Sequence, residues 1–152
     1  MNSFAQNSDE TDRLIKLFQE LLHGLPVGTA TLHSERTRKN DGTIIRLKPS
    51  NKHAAQFGAH TDNGSLCIID VFFGSGTTFE LDGDVDELLD LVHRLGLAVI
   101  SGACEQRFGF LGVRGKIRLD GGKVYRCTDY FHPRLYPKTV RYEPYYQPAA
   151  KP

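Results

Sequence analysis

The chain has 152 residues, 24% of them charged and 39% apolar, with a formal net charge of +1. That composition excludes wholesale disorder and collagen-like repeats, and its length suits one domain rather than two. With a sequence pI near 7.8, it also lacks the strong overall basicity of a general nucleic-acid binder.

Met1 to Glu10 has no basic patch followed by an apolar stretch, and no window approaches 18 uninterrupted apolar residues. Neither export nor membrane insertion is signalled, so a cytoplasmic location and no membrane partner are expected. A single domain over residues 1–152 follows, with 1–7 and 148–152 expected to be flexible.

A first helix is expected from Ser8 or Asp9, where a side-chain oxygen can cap free amides and the carboxylates of Asp9 and Glu10 meet the positive end of the dipole. Leu14, Leu17, Phe18, Leu21, Leu22 and Leu25 form its apolar stripe, and Gly24 and Pro26 end it. Short β-prone runs follow at Ala30–Thr37 and Thr43–Lys48, joined through Asp41-Gly42. Pro49–Ala59 reads as loop. Ser65–Phe73 is the most apolar strand pattern and is expected to be central; Gly74-Ser75-Gly76 turns it into Thr77–Leu81, its antiparallel neighbour.

Asp84-Val85-Asp86-Glu87 has the form of a capping box, and Val85, Leu88, Leu89, Val92 and Leu95 follow at helical spacing. Gly96 is expected to end this second helix, with Leu97–Ser101 returning to strand. Further strands are expected at Phe108–Val113, Lys116–Leu119 and Lys123–Thr128, the last two joined by Asp120-Gly121-Gly122. The fold class is α+β: a curved, mostly antiparallel sheet of about six to eight short strands, two helices packed on it, and an extended C-terminal strap.

Three constellations bear on function. His60-Thr61-Asp62 sets two metal-ligating side chains on the same side of an extended segment, and His132 is a candidate third ligand for iron or zinc. The string Gly58-Ala59-His60-Thr61-Asp62-Asn63-Gly64-Ser65-Leu66 resembles the HTD-x-G-x-L stretch of the iron and 2-oxoglutarate dependent oxygenases, and Arg141-Tyr142-Glu143-Pro144-Tyr145-Tyr146 resembles that family's co-substrate-holding arginine segment. The resemblance implies an iron-dependent enzyme on a jelly roll, whereas this chain sets a capped helix between Asp62 and His132. Without a ligand, the same residues serve as a turn before a strand.

Second, no nucleophile has a partner. Cys67, Cys104 and Cys127 are odd in number and lie beside strands, and Ser75 and Ser101 lack a G-x-S-x-G elbow. Gly74-Ser75-Gly76-Thr77-Thr78 precedes a strand rather than a helix, so it reads as a hairpin turn and not a phosphate cradle. The acidic run Asp82, Asp84, Asp86, Glu87 and Asp90 fits the dipole of the second helix.

Third, all six tyrosines lie between Tyr125 and Tyr146, and residues 105–141 hold nine Arg or Lys against Glu105, Asp120 and Asp129. Tyrosine and arginine are enriched where one surface recognises another. Tyr130, Arg134, Tyr136, Lys138, Arg141, Tyr142, Tyr145 and Tyr146 are therefore the candidate contact residues. The expectation is a non-enzymatic macromolecule-binding protein, such as a toxin-neutralising immunity-type protein, with another protein as partner and nucleic acid as the alternative. A metal-dependent enzyme using His60, Asp62 and His132, and a small-ligand domain with an apolar pocket beneath the first helix, are the other readings.

Overall fold

In a computed structural model, residues 3–37, 42–129 and 135–148 are described, with side chains from Asp9 onward. They form helices α1 (Ser3–His23) and α2 (Val85–Ile100), and strands β1 (Ala30–Arg36), β2 (Thr43–Pro49), β3 (Phe57–Thr61), β4 (Ile68–Phe73), β5 (Thr77–Asp82), β6 (Cys104–Gly109), β7 (Gly112–Arg118), β8 (Val124–Asp129) and β9 (Lys138–Arg141). The strands make two antiparallel sheets, ordered β1-β2-β3-β4-β5 and β8-β7-β6-β9. The α+β class and the two helices are as the sequence indicates; the number of strands and the division into two sheets are not.

The first sheet buries Ile45, Leu47, Phe57, Ala59, Ile69, Val71, Phe73 and Leu81 on one face. That face is covered by Leu14, Leu17, Phe18 and Leu21 of α1 and by Leu88, Val92, Leu95 and Val99 of α2. The Phe18 ring stacks on that of Phe57, with centroids 5.5 Å apart. Side chains fill the space between the middle of α1 and the sheet, and a cleft of about 520 Å³ lies beside the C-terminal end of α1, bordered by Leu21, Leu25, Leu97, Ile100 and Tyr146. Residues of both sheets share a single core cluster that includes Cys104, Ile117 and Tyr145.

Four boundaries differ from the sequence reading. α1 starts at Ser3 rather than Ser8 or Asp9, because neither Gly nor Pro interrupts residues 3–9. β3, the middle strand of its sheet, begins at Phe57, inside the Pro49–Ala59 stretch expected as loop, and β4, expected to be central, lies beside it. Gly58 and Ala59 are poor strand formers, but a Cβ on Gly58 would fall 2.2 Å from the Phe72 ring, so packing on the neighbouring strand outweighs propensity.

The third difference is α2, which continues through the expected strand Leu97–Ser101. Asp84 caps its start, accepting from the amide of Asp86 at 3.0 Å, as the capping pattern requires. The stripe runs past Gly96 to Val99 and Ile100, and the stop is a Schellman motif: Ala103 N–H to Ala98 O at 2.8 Å, Gly102 N–H to Val99 O at 3.0 Å, with Gly102 at φ 78°. Gly96 is a packing glycine, because a Cβ there would meet Leu21 Cδ1 at 2.6 Å and Phe57 Cε1 at 2.9 Å. Fourth, the expected Phe108–Val113 strand is broken by a tight hairpin in which Gly109 pairs with Gly112.

Gly96→Ala should therefore destabilise the protein by about 1–3 kcal/mol through overpacking, against the roughly 1 kcal/mol gain that helix propensity alone would give. Urea unfolding decides the sign, and a gain in stability would refute the close helix contact.

Candidate binding face

The second sheet has two chemically opposite faces. Along β6, Cys104, Gln106 and Phe108 are buried while Glu105 and Arg107 alternate outward; along β7, Val113, Gly115 and Ile117 are buried while Arg114, Lys116 and Arg118 alternate outward. The register sets Arg126, Lys116, Glu105 and Arg141 in one cross-strand row, and Thr128, Arg114, Arg107 and Thr139 in the next. These rows hold five cations and one carboxylate, and Arg118, opposite Val124 in the following row, adds a sixth cation to the same face.

Glu105 is shared among Lys116 at 3.3 Å, Arg118 at 3.7 Å and Arg141 at 3.9 Å. Among the described residues, Arg107, Arg114 and Arg126 have no ion-pair partner, and Arg107 sits directly opposite Arg114. Like charges directly opposite each other destabilise a ladder, so the fold gains nothing from this row. A cleft of about 250 Å³ lies at one end, lined by Ala103, Glu105, Lys116, Arg118 and Arg141.

The inward side of this sheet is fixed by Gln106, which is fully buried. Its amide donates to Ser75 O at 3.1 Å and to the Thr77 hydroxyl, and its carbonyl oxygen accepts from Ser75 N–H at 3.1 Å and from the Tyr142 hydroxyl. Gly74-Ser75-Gly76 is the hairpin turn between β4 and β5, as its sequence context indicates, and its Ser75 amide is spent inside the protein.

The expected contact residues divide. Tyr130, Arg134 and the candidate ligand His132 lie outside the described residues. Tyr136, Lys138, Arg141 and Tyr146 are exposed. Tyr142 is half-buried and Tyr145 buried, and both hydroxyls bond within the protein. Past β9, Glu143 N–H bonds His53 O at 3.0 Å and Tyr145 N–H bonds Ile100 O at 2.9 Å. The buried Tyr145 hydroxyl then reaches Leu47 O at 3.2 Å, sealing the core edge. Asn51 Nδ2 further ties the strap to Glu143 and Pro144, each at 3.1 Å.

His60 and Asp62 do project to the same side, with His60 Nε2 3.4 Å from Asp62 Oδ1, but the other ring nitrogen lies 3.6 Å from Asp70 Oδ2. The two carboxylates flank opposite edges of the imidazole rather than converging on one point. Among the described residues, no group of three His, Cys, Asp or Glu is placed to hold a metal ion.

Glu105, Arg107, Arg114, Lys116, Arg118 and Arg126 share one sheet face that the sequence reading did not single out. Their signal is the alternation Arg114-x-Lys116-x-Arg118, which puts every cation on one side of a strand. No helix among the described residues is long and apolar enough to cross a membrane. No protein-family model, curated protein or solved structure matches the chain.

Burial raises the thiol of Cys104 to about 12 and that of Cys127 to about 11, from 9.0, and the Tyr142 hydroxyl to about 12 from 10.0. Each group holds its proton in the native state at pH values where the unfolded chain releases it. Stability should therefore be insensitive to these groups below about pH 9 and fall as pH rises from about 9 to 12. Urea midpoints measured from pH 8 to 11 check this, and a flat profile to pH 11 would contradict it. At pH 8 iodoacetamide should label the exposed Cys67 well before Cys104 or Cys127.

Proposed function

We propose that this protein is a non-catalytic binding protein whose recognition surface is the outer face of the four-stranded sheet, and that its partner is an acidic protein. The observation that carries the reading is the pair of cross-strand rows in which Arg107, Arg114, Lys116, Arg126 and Arg141 accompany Glu105, with Arg118 one position further along β7 on the same face. Cations held opposite one another at a cost to folding have a use when an acidic surface neutralises them.

Three features support the choice of partner. The outward positions of β6, β7 and β8 carry no aromatic side chain, so the face lacks the stacking platform of sheet-type single-strand binders. The face is backed by the buried hydrogen bonds of Gln106 to Ser75, Thr77 and Tyr142, and a backbone already held in place lowers the entropic cost of association. A formal net charge of only +1 confines attraction to this patch instead of spreading it over the molecule. A toxin-neutralising immunity-type protein with an acidic target is one form of the reading.

The test uses tagged protein on lysate of the source organism, followed by reconstitution with the purified partner. Arg107→Glu with Arg114→Glu should weaken binding by at least about tenfold at low salt. Lys16→Glu with Lys48→Glu, the same charge change away from this sheet, should leave it within about twofold. Equal losses from both pairs would reduce the effect to bulk charge and refute the face.

A further inference from the structure

One end of the four-stranded sheet is apolar. The β6–β7 hairpin tip holds Phe110 and Leu111, 71% and 74% exposed, and Leu135 and Tyr136, 81% and 83% exposed, immediately precede β9. Phe108 pairs with Lys138 in antiparallel register, so chain direction brings Leu135 and Tyr136 to the same end of the sheet as the tip. Of the eight large hydrophobic residues exposed among those described, four are here. A tight turn is built from small and polar residues when only the turn matters; this one exposes a phenylalanine and a leucine between two glycines.

We infer that Phe110 and Leu111 are the apolar anchor of the binding face, entering an apolar pocket on the same acidic protein that covers the cationic rows. The inference rests on the proposed function and identifies its partner more closely. Arg107 and Arg114 are the cations nearest the tip on the sheet face, so an apolar contact at the tip adjoins a charged contact along the rows.

Charge and length choose among occupants. A second copy would bring its own cations against these, so the face disfavours symmetric self-pairing. An anionic membrane meeting the tip would reach the nearest cations only. Arg118 lies seven residues from Leu111, roughly 23 Å at about 3.3 Å per residue, well beyond the roughly 8 Å Debye length at physiological salt. A nucleic-acid strand lying along the rows would find aromatic rings only at the tip, on Phe110 and Tyr136, with none beside the cations for successive bases to stack on. A folded protein with an acidic surface beside an apolar pocket engages both.

The experiment compares three forms of the purified protein against the purified, reconstituted partner by calorimetry at several salt concentrations: wild type, Phe110→Ser with Leu111→Ser, and Arg107→Glu with Arg114→Glu. The tip variant should keep the wild-type melting temperature, since both side chains are exposed. It should bind about 30-fold more weakly with an unchanged dependence on salt, whereas the arginine variant should flatten the salt dependence. A tip variant that binds within twofold of wild type, while the arginine variant fails, overturns the anchor and leaves the face intact. Loss in neither variant, or no partner that survives reconstitution, overturns both. Parallel samples contain vesicles of phosphatidylcholine and phosphatidylserine, a single-stranded 30-mer oligonucleotide, or protein alone in the ultracentrifuge. Tip-dependent binding to vesicles, tip-dependent binding to the oligonucleotide, or a dimer abolished by the tip variant would each overturn the inference.

Discussion

Gln106 is the constraint around which the two sheets are organised. It belongs to β6 of the second sheet, yet its amide group is bonded to the β4–β5 turn of the first and to Tyr142 of the strap. A buried amide left unpaired costs about 1–3 kcal/mol, so the turn, the strand and the strap must be placed together. Glycine permits this closeness: a Cβ on Gly74, at φ 59°, would lie 2.4 Å from Gln106 Oε1, and one on Gly115 would lie 2.3 Å from the Thr77 methyl. Beside this junction Phe79 of β5 stacks on Tyr125 of β8 at 6.3 Å, so the sheets meet through side chains where no ladder joins them.

That junction gives the outer face of the second sheet its character. Its inner side is committed to the core and to Gln106, while its outer side is free of folding duties except for the ion pairs of Glu105. Strand alternation then converts a sequence with a net charge of +1 into a surface with six cations around one anion. The first sheet follows another logic, with Phe72 lying over Gly58 and the Arg46 guanidinium 5.8 Å from the Phe72 ring centroid, so its outer face is partly consumed by internal contacts.

Much of this was legible in the residues. The cap at Asp84, the stripe of α2, the Asp120-Gly121-Gly122 hairpin and the β4–β5 pair each arise from interactions within a few positions of one another. The errors share a different origin. β3 is a strand because β2 and β4 flank it, although Gly58 and Ala59 argue against it locally. Gly96 marks a helix crossing instead of a helix end, and that depends on Leu21 and Phe57 far along the chain. Reading Phe108–Val113 as one strand concealed the hairpin at Gly109–Gly112, and with it the register that sets Arg107 opposite Arg114. The tyrosines of the tail drew attention by composition, but the Tyr142 and Tyr145 hydroxyls bond within the protein; the alternation on β7 is visible in the sequence, while its joining with Arg107 and Arg126 into one face follows from the ladder.

If Gln106 unites the sheets, the face is held by the same cooperative unit as the core. Amide hydrogen exchange of the wild-type protein and of Gln106→Ala measures this most directly. In the wild type, the slowest amides of β6 and β7 should open with the same free energy as those of β3 and β4. In the variant, β6 and β9 should lose protection well before β2 and β3. Equal protection of the two sheets in both proteins would contradict the account.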